Sequence, residues 1–146
     1  MSIFFSRQCE YALQAVMYLA LSSNGDSTSI KELTEKLDIP YHFLAKILQD
    51  LAYKGLLESH KGPAGGFKLR KNGQEITALQ IVEAIDGVDF KDQCLLGFPV
   101  CSPATPCSAH EKWQVLREEI YSMLANKSIA DMAREMKKQE YSPLAL

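Results

Sequence analysis

Three of the chain's four cysteines lie in one short segment together with a histidine. The segment, residues 94–110, reads CLLGFPVCSPATPCSAH and has the spacing Cys-x6-Cys-x5-Cys-x2-His. Its glycine and three prolines prevent a continuous helix or strand, so it should form an irregular loop. Thiolates and an imidazole are ligands that zinc and iron–sulfur clusters share. The loop therefore predicts a metal centre held by Cys94, Cys101, Cys107 and His110.

Residue chemistry leaves more than one interpretation of this loop open. A structural zinc site and an iron–sulfur cluster accept the same four ligands, and the spacing does not separate them. Ordinary buried thiols are a simpler alternative, although three cysteines and a histidine within 17 residues rarely coincide by chance. Cys9, outside the loop, is expected to be a small apolar residue of a helix. A redox enzyme is disfavoured because the chain has no Cys-x-x-Cys pair.

The bulk composition indicates a small protein with its own core. At 146 residues and 47% hydrophobic content, the chain can bury a core without disulfides. No apolar run approaches the ~20 residues of a membrane span, and the first residues lack a secretory pattern. We therefore expect a cytoplasmic protein without a membrane partner. In a reducing compartment, clustered cysteines are ligands or redox sensors more often than disulfides.

Charge is distributed unevenly along the chain, although its net charge is only −2. Residues 40–71 carry six lysines and arginines against two acidic residues, a net charge of +4. The segments before and after this stretch are both net negative. A basic segment within an acidic chain is typical of a localised surface that faces phosphates, which favours DNA as the partner.

The elements that must position these residues begin with three predicted helices. Apolar residues recur at helical spacing over residues 7–21. Ser29 and Glu32 have the spacing of a capping box, which opens a second helix. A third helix is predicted to begin with Pro40 at its first position and to run to about Lys54, where Gly55 would end it as a left-handed cap. The residues of this helix that should face the core are Leu44, Ile47, Leu48 and Leu51. Two short helices joined by a turn of a few residues indicate a helix-turn-helix.

A β-hairpin is predicted directly after the third helix. Residues 56–60 and 67–70 read as strands, and residues 61–66, KGPAGG, read as the turn between them. A helix-turn-helix followed by a hairpin with a basic tip is a winged helix. The predicted fold class is therefore mainly α with a small β-hairpin wing.

The third helix and the wing carry the candidate DNA-reading residues. Lys46 can contact a phosphate or a guanine, Gln49 can pair with adenine, and Lys61 can enter a minor groove. Glycines at the wing tip allow close approach to a nucleic-acid backbone. A solvated polar helix face is the alternative, since helix-turn-helix patterns often arise by chance. The predicted DNA-binding residues are Tyr41, His42, Ala45, Lys46, Gln49, Lys61, Gly62, Gly65 and Gly66.

Three more helices are predicted around the cysteine loop. Thr77 opens one that ends at Gly87, with Gln80 at the spacing of a capping box, and Ser128 opens the last one. Between them, residues 111–125 form a long helix with a narrow apolar seam between charged flanks, which is typical of packing against another helix. The seam consists of Trp113, Leu116, Ile120 and Leu124.

Together these features resemble a family of bacterial winged-helix regulators, the one that includes the iron–sulfur regulator IscR and the nitric-oxide sensor NsrR. The resemblance covers nearly the whole chain, including Tyr11-Ala12 of the first helix, the wing Lys61–Phe67 and Cys107-Ser-Ala-His110. A Gly-Pro-x-Gly-Gly wing followed by a three-cysteine loop is a specific combination. The resemblance implies a transcription regulator that senses redox state, nitric oxide or iron–sulfur status.

The resemblance also implies a homodimer that binds a palindromic operator in double-stranded DNA, with one winged helix on each half-site. The two long helices, residues 111–125, would pair in that dimer. The chain then divides into a DNA-binding domain over residues 1–88, a cluster-binding loop over residues 89–110, and a dimerisation helix with a C-terminal helix over residues 111–146.

In that family the cluster ligands would be Cys94, Cys101 and Cys107, and two residues can serve as the fourth. IscR-like members use the histidine after the third cysteine, here His110, whereas NsrR-like members use an acidic residue of the partner's first helix, where Glu10 stands. We favour His110 and a [2Fe-2S] cluster over [4Fe-4S]. The first cysteine gap is one residue longer than is usual in the family, and some members lack a cluster. The alternative is therefore a zinc-stabilised or thiol-sensing winged-helix regulator or, more distantly, a redox protein.

Overall fold

The structure is a computed structural model that describes residues 4–22, 26–70, 75–87 and 91–138. The elements in these residues are α1 (Arg7–Ser22), α2 (Ile30–Leu37), α3 (Tyr41–Tyr53), β1 (Leu57–His60), β2 (Gly66–Leu69), α4 (Ala78–Ile85), α5 (His110–Asn126) and α6 (Ile129–Lys137). The predicted fold class, mainly helical with a small hairpin wing, is confirmed. The predicted division between residues 88 and 89 lies outside the described residues.

Side-chain caps position the first two helices. The Ser6 hydroxyl accepts a hydrogen bond from the Cys9 amide at 3.1 Å and begins α1. The Ser29 hydroxyl accepts one from the Glu32 amide at 3.1 Å and begins α2, as predicted. The Glu32 carboxylate accepts a hydrogen bond from the Tyr18 hydroxyl at 2.9 Å. The second half of the predicted capping box is thus replaced by a contact that ties α2 to α1.

Helix α3 buries one face and leaves the other in solvent. Pro40 has φ −57° and ψ 134°, so it caps the helix from an extended conformation, one position earlier than predicted. Gly55, with φ +83°, provides the predicted left-handed cap after the helix. The buried face consists of Leu44, Ile47, Leu48 and Leu51, the four residues predicted to face the core. Burial of such side chains stabilises the fold by about 1.5–3 kcal/mol each.

The wing is fastened to the segment that precedes α2. Strands β1 and β2 pair antiparallel, in the register that sets His60 opposite Gly66. The Phe67 amide donates to the Thr28 carbonyl at 2.8 Å, and the Thr28 amide donates to the Phe67 carbonyl at 2.9 Å. The buried Phe67 ring adds an apolar contact to the core. The hairpin is therefore held against the body of the winged helix on one side.

Helices α4, α5 and α6 join the same core. Thr77 and Gln80 form the predicted capping box at the start of α4. The Ile129 amide donates to the Ile76 carbonyl at 2.6 Å, which sets the starts of α4 and α6 side by side. Helix α6 packs against α1, and Ile129 and Leu124 are buried in the central cluster. No helix in the described residues is long and apolar enough to cross a bilayer.

The residues of the apolar seam predicted for α5 do not all face the same partner: some pack on the core, one contacts the cysteine loop and one is exposed. Leu124 is buried and Ile120 packs against the core, whereas Trp113 contacts the cysteine loop. Leu116 is 39% exposed, because the outer face of α5 has no neighbour within the described chain. The large apolar side chains that α5 exposes are Val115, Leu116 and Met123.

Candidate functional site

A series of short turns folds the cysteine loop back on itself. The Gly97 amide donates to the Cys94 carbonyl at 3.1 Å, and the Cys101 amide donates to the Phe98 carbonyl at 3.3 Å. The His110 amide donates to the Cys107 carbonyl at 3.1 Å, at the point where α5 begins. Each turn brings the next ligand residue back toward the previous one. The loop is irregular, as its glycine and prolines predict.

The turns bring the three loop cysteines together. Their Sγ atoms all lie within 4.8 Å of one another, and all three residues are half-buried. The Cys94 and Cys107 sulfurs are in contact, at 3.6 Å. The Cys101 sulfur lies 3.3 Å from His110 Nδ1 and accepts a hydrogen bond from the Cys107 amide at 3.5 Å. The structure thus brings together the four residues predicted as metal ligands.

The surroundings of the triad change the acidity of its thiols. Burial raises the pKa of the Cys94 thiol. Hydrogen bonds from the backbone of Phe98 and Leu96 and from the other two thiols have the opposite effect, and the resulting pKa is about 7. A backbone hydrogen bond at Cys107 favours the Cys101 thiolate, but burial and the neighbouring sulfurs outweigh it and raise the pKa of Cys101. The Cys94 thiol therefore ionises readily near neutral pH.

A backbone carbonyl anchors the start of the loop to α5. The Gln93 carbonyl accepts hydrogen bonds from Trp113 Nε1 at 2.9 Å and from the Arg117 guanidinium at 3.2 Å. The Trp113 ring in turn stacks on Phe4, with ring centres 6.0 Å apart and planes inclined by 7°. Sequence reasoning missed Gln93 and Arg117. The signal for Arg117 was its helical spacing from His110 and Trp113, which places all three on one face of α5. Gln93 contributes only a backbone carbonyl and has no such signal.

Glu10 and Cys9 lie away from the triad in α1. The Glu10 carboxylate forms an ion pair with Arg7 at 3.3 Å, and its side chain is 15% exposed. Among the described residues, the group of ligand atoms within 4.8 Å of one another does not include Glu10. Cys9 is fully buried, and burial together with the nearby Asp86 and Glu10 carboxylates raises its pKa to about 12. Cys9 is thus a protonated core residue, in keeping with its predicted apolar role.

The predicted DNA-reading residues of α3 lie on its outer face. Tyr41, His42, Lys46 and Gln49 are exposed, and Ala45 is half-buried between them. Sequence reasoning missed Phe43, which is 44% exposed and lies with its ring centre 4.5 Å from that of His42. A search for polar groups does not select Phe43, because its side chain is apolar.

The wing tip is compact and exposed. The Gly65 amide donates to the Gly62 carbonyl at 2.9 Å and closes the predicted turn, with Lys61 exposed beside it. Within the described part of the chain, neither Lys46 nor Lys61 forms an ion pair with an acidic side chain. Both cations are therefore available to an external anion. The tip glycines, Gly62, Gly65 and Gly66, lie in or next to this turn.

Solved structures share this fold. CymR, the global cysteine regulator of B. subtilis, matches with a TM-score of 0.78 at 23% identity, over 92% of this chain and 98% of CymR. T. potens IscR matches with a TM-score of 0.75 at 20% identity, over 97% of this chain and 93% of IscR. These likenesses confirm the fold, that of winged-helix regulators.

Relatives in sequence are transcription regulators. A protein of Aquifex aeolicus, whose name assigns it provisionally to the HTH-type transcriptional regulators, is 35% identical over 130 residues, 88% of this chain and 90% of that protein. The HTH-type transcriptional regulator IscR of Photobacterium profundum is 26% identical over 132 residues, 90% of this chain and 76% of IscR. The family model that matches residues 5–135 is Rrf2, described as an iron-dependent transcriptional regulator. The chain belongs to the Rrf2 family of transcriptional regulators.

Proposed function

We propose that this regulator binds its operator as a homodimer and adjusts its DNA affinity through a [2Fe-2S] cluster held by the cysteine loop. Like the members of its family, the chain is a DNA-binding transcriptional regulator. It is not an enzyme. The proposal adds the sensor, its ligands and the residues that contact DNA. The ligands would be Cys94, Cys101, Cys107 and His110.

The observation that carries the proposal is the arrangement of these four ligands in two close pairs. Cys94 and Cys107 lie 3.6 Å apart, and Cys101 lies 3.3 Å from His110. In a [2Fe-2S] centre each iron takes two protein ligands, so two pairs suit two irons. Soft thiolates with one imidazole are also a ligand set that such clusters accept.

A single zinc ion fits the arrangement less well. With Zn–S bonds of about 2.3 Å, two sulfurs on one tetrahedral zinc lie ~3.8 Å apart, which matches the 3.6 Å between the Cys94 and Cys107 sulfurs. A Cys3His zinc site needs all four ligand atoms at such distances. Among the described residues, the set within 4.8 Å of one another contains the three sulfurs but not His110. Zinc is therefore the second candidate, favoured by that one distance.

A chain of contacts connects the cysteine loop to the DNA-binding helices. It leads into α5, and the Gln93 carbonyl is anchored by Trp113 and Arg117. Trp113 stacks on Phe4, just before α1, and α1 packs against α3. When bound, a cluster supplies redox and nitric-oxide reactivity. Loss or oxidation of the cluster would loosen the loop, and the orientation of the two recognition helices on the half-sites would change.

Exposed apolar side chains support the homodimer. Val115 and Met123 of α5 are 50% and 57% exposed. Phe98 and Val100 of the cysteine loop are 55% and 76% exposed. A second copy that covers the outer face of α5 would bury the apolar side chains that this helix exposes. Glu10 of the partner subunit, to which the family resemblance points, is kept as the alternative fourth ligand.

The metal content of protein purified without oxygen tests the sensor. We expect a coloured protein with visible absorption from sulfur-to-iron charge transfer and about two iron and two sulfide per chain. About four of each would replace [2Fe-2S] by [4Fe-4S]. Zinc without sulfide, in colourless protein that takes up neither iron nor sulfide in vitro, would exclude the cluster and leave the zinc-stabilised regulator.

Lys61→Ala should weaken operator binding without changing which sequence is preferred. Lys61 is exposed at the wing tip and forms no ion pair among the described residues, so it can neutralise a phosphate. Loss of one such contact should lower affinity several-fold and reduce the slope of log K against log salt by about one. The measurement is fluorescence anisotropy with an operator fragment over a series of salt concentrations.

Lys137→Ala is the matched control for this change. Lys137 lies at the exposed end of α6, so its removal alters net charge by the same amount without touching the wing. We expect the affinity and the salt slope of this variant to equal those of the parent. Equal losses for the two variants would mean that the wing tip does not contact DNA.

A further inference from the structure

We infer that the metal-free loop is a site of oxidative modification, in which Cys94 and Cys107 form a disulfide within one chain while Cys101 remains a thiol. The inference concerns the loop without its metal. It does not depend on whether iron–sulfur or zinc occupies the loop in the loaded protein.

Geometry selects this pair of cysteines. The Cys94 and Cys107 sulfurs are in contact at 3.6 Å, so an approach of about 1.6 Å gives the 2.03–2.05 Å bond length of a disulfide. Both residues are half-buried in a loop without helix or strand, so an oxidant can reach them and the backbone can adjust. The disulfide would close a ring that contains residues 95–106.

Cys101 is held in a different set of contacts. Its sulfur accepts a hydrogen bond from the Cys107 amide and lies 3.3 Å from His110 Nδ1. The imidazole belongs to the first residue of α5, so this contact ties Cys101 to a rigid element. A disulfide from Cys101 to either neighbour would break the contact with His110, whereas the Cys94–Cys107 bond preserves it.

Hydrogen peroxide is the oxidant that we name, and the reaction balances in two steps. One thiolate attacks a peroxide oxygen, the O–O bond breaks, and after protonation a sulfenic acid and one water are formed. The sulfur of the second cysteine then attacks the sulfenic sulfur, the S–O bond breaks, and hydroxide leaves and takes up a proton as the second water. In sum, two thiols and one peroxide give one disulfide and two waters.

The disulfide and a bound metal exclude each other. Bond formation removes two of the three thiolates, and one thiolate with an imidazole is too small a ligand set for a stable centre. A bound metal conversely occupies the sulfurs and protects them from peroxide. The metal-free loop can therefore exist in two forms. The reduced form can bind metal directly, whereas the oxidised form must first be reduced.

Peptide mapping of the metal-free protein tests the pairing. The protein is treated with chelator and dithiothreitol, desalted without oxygen, exposed to a small excess of hydrogen peroxide, and alkylated with N-ethylmaleimide in denaturant. Trypsin leaves all three loop cysteines in residues 92–112, so chymotrypsin, which also cuts after Leu96, is needed to separate Cys94 from the other two. We expect Cys94 linked to Cys107, with the maleimide on Cys101 and on the buried Cys9.

Cobalt uptake gives an independent reading of the same event. Reduced protein should bind Co²⁺ with thiolate-to-metal absorption, peroxide-treated protein should not, and dithiothreitol should restore binding. Cys101→Ser should still form the crosslink, and Cys107→Ser should lose it. A crosslink through Cys101, a disulfide between two chains, sulfinic acid without a crosslink, or Co²⁺ uptake unaffected by peroxide would overturn the inference.

Discussion

Cys101→Ala protein purified without oxygen should lack most of the iron and sulfide that we propose for the parent protein. The Cys101 sulfur is the one that contacts both His110 and the Cys107 amide, so its removal leaves the imidazole without its paired ligand. Loss of a residue that only hydrogen-bonds to a metal ligand reduces metal affinity by about 10–100-fold. Removal of a ligand itself should reduce the affinity by at least as much. We also expect the response of operator binding to metal loading to disappear.

Iron and sulfide analysis, visible absorption and operator titration of the same preparations check this result. Ser108→Ala is the control, because Ser108 is exposed in the same loop between two ligand residues and offers no thiol. This variant should load and respond as the parent does. A Cys101→Ala protein with full iron content would place the centre on other ligands. Full iron loss with an unchanged operator response would separate the metal from regulation.

Gly66→Ala should strongly destabilise the wing. Gly66 has φ +152°, a conformation that residues with a side chain rarely adopt, and an added Cβ would lie 2.1 Å from the Thr28 carbonyl oxygen. The backbone must then move, and the two hydrogen bonds between Thr28 and Phe67 are lost. Backbone strain of about 1–3 kcal/mol and those hydrogen bonds together should lower the free energy of unfolding by about 2–5 kcal/mol.

Urea denaturation followed by circular dichroism measures this change, with Gly62→Ala as the control. Gly62 also has a positive φ, +105°, but an added Cβ would meet no atom within 4 Å. This variant should lose only the cost of the strained conformation, about 1 kcal/mol. Operator affinity should fall further for Gly66→Ala than for Gly62→Ala, because only the former detaches the wing. Equal destabilisation of the two variants would contradict the docking contact with Thr28.

Local signals made much of the fold predictable. Ser29, Thr77, Gly55 and Gly87 mark helix ends through their own backbone and side-chain chemistry, so neighbouring residues suffice to find them. The four candidate ligand residues could be singled out because their types and spacing are unusual within a short loop, and the structure brings them together. The buried face of α3 follows from helical period alone.

Contacts between distant residues could not be predicted in the same way. Glu32 was assigned to a cap by its spacing, yet its carboxylate bonds Tyr18 in another helix. The anchor at Gln93 uses a backbone carbonyl, which every residue possesses and which no residue type reveals. The division of the α5 seam between the core and the loop depends on how α5 lies against both. The pairing of Cys94 with Cys107 likewise depends on turns that the spacing does not specify.

The anchor at Gln93 also gives this regulator an internal optical probe. Trp113 is the chain's single tryptophan, and its indole nitrogen donates a hydrogen bond to the carbonyl of Gln93, the residue that precedes Cys94. Its ultraviolet emission therefore comes from one place, between the ring of Phe4 and the first turn of the loop. Metal binding to the loop, as proposed above, should therefore change this emission, so that it can be followed in real time on protein without a label while the operator alone carries a dye.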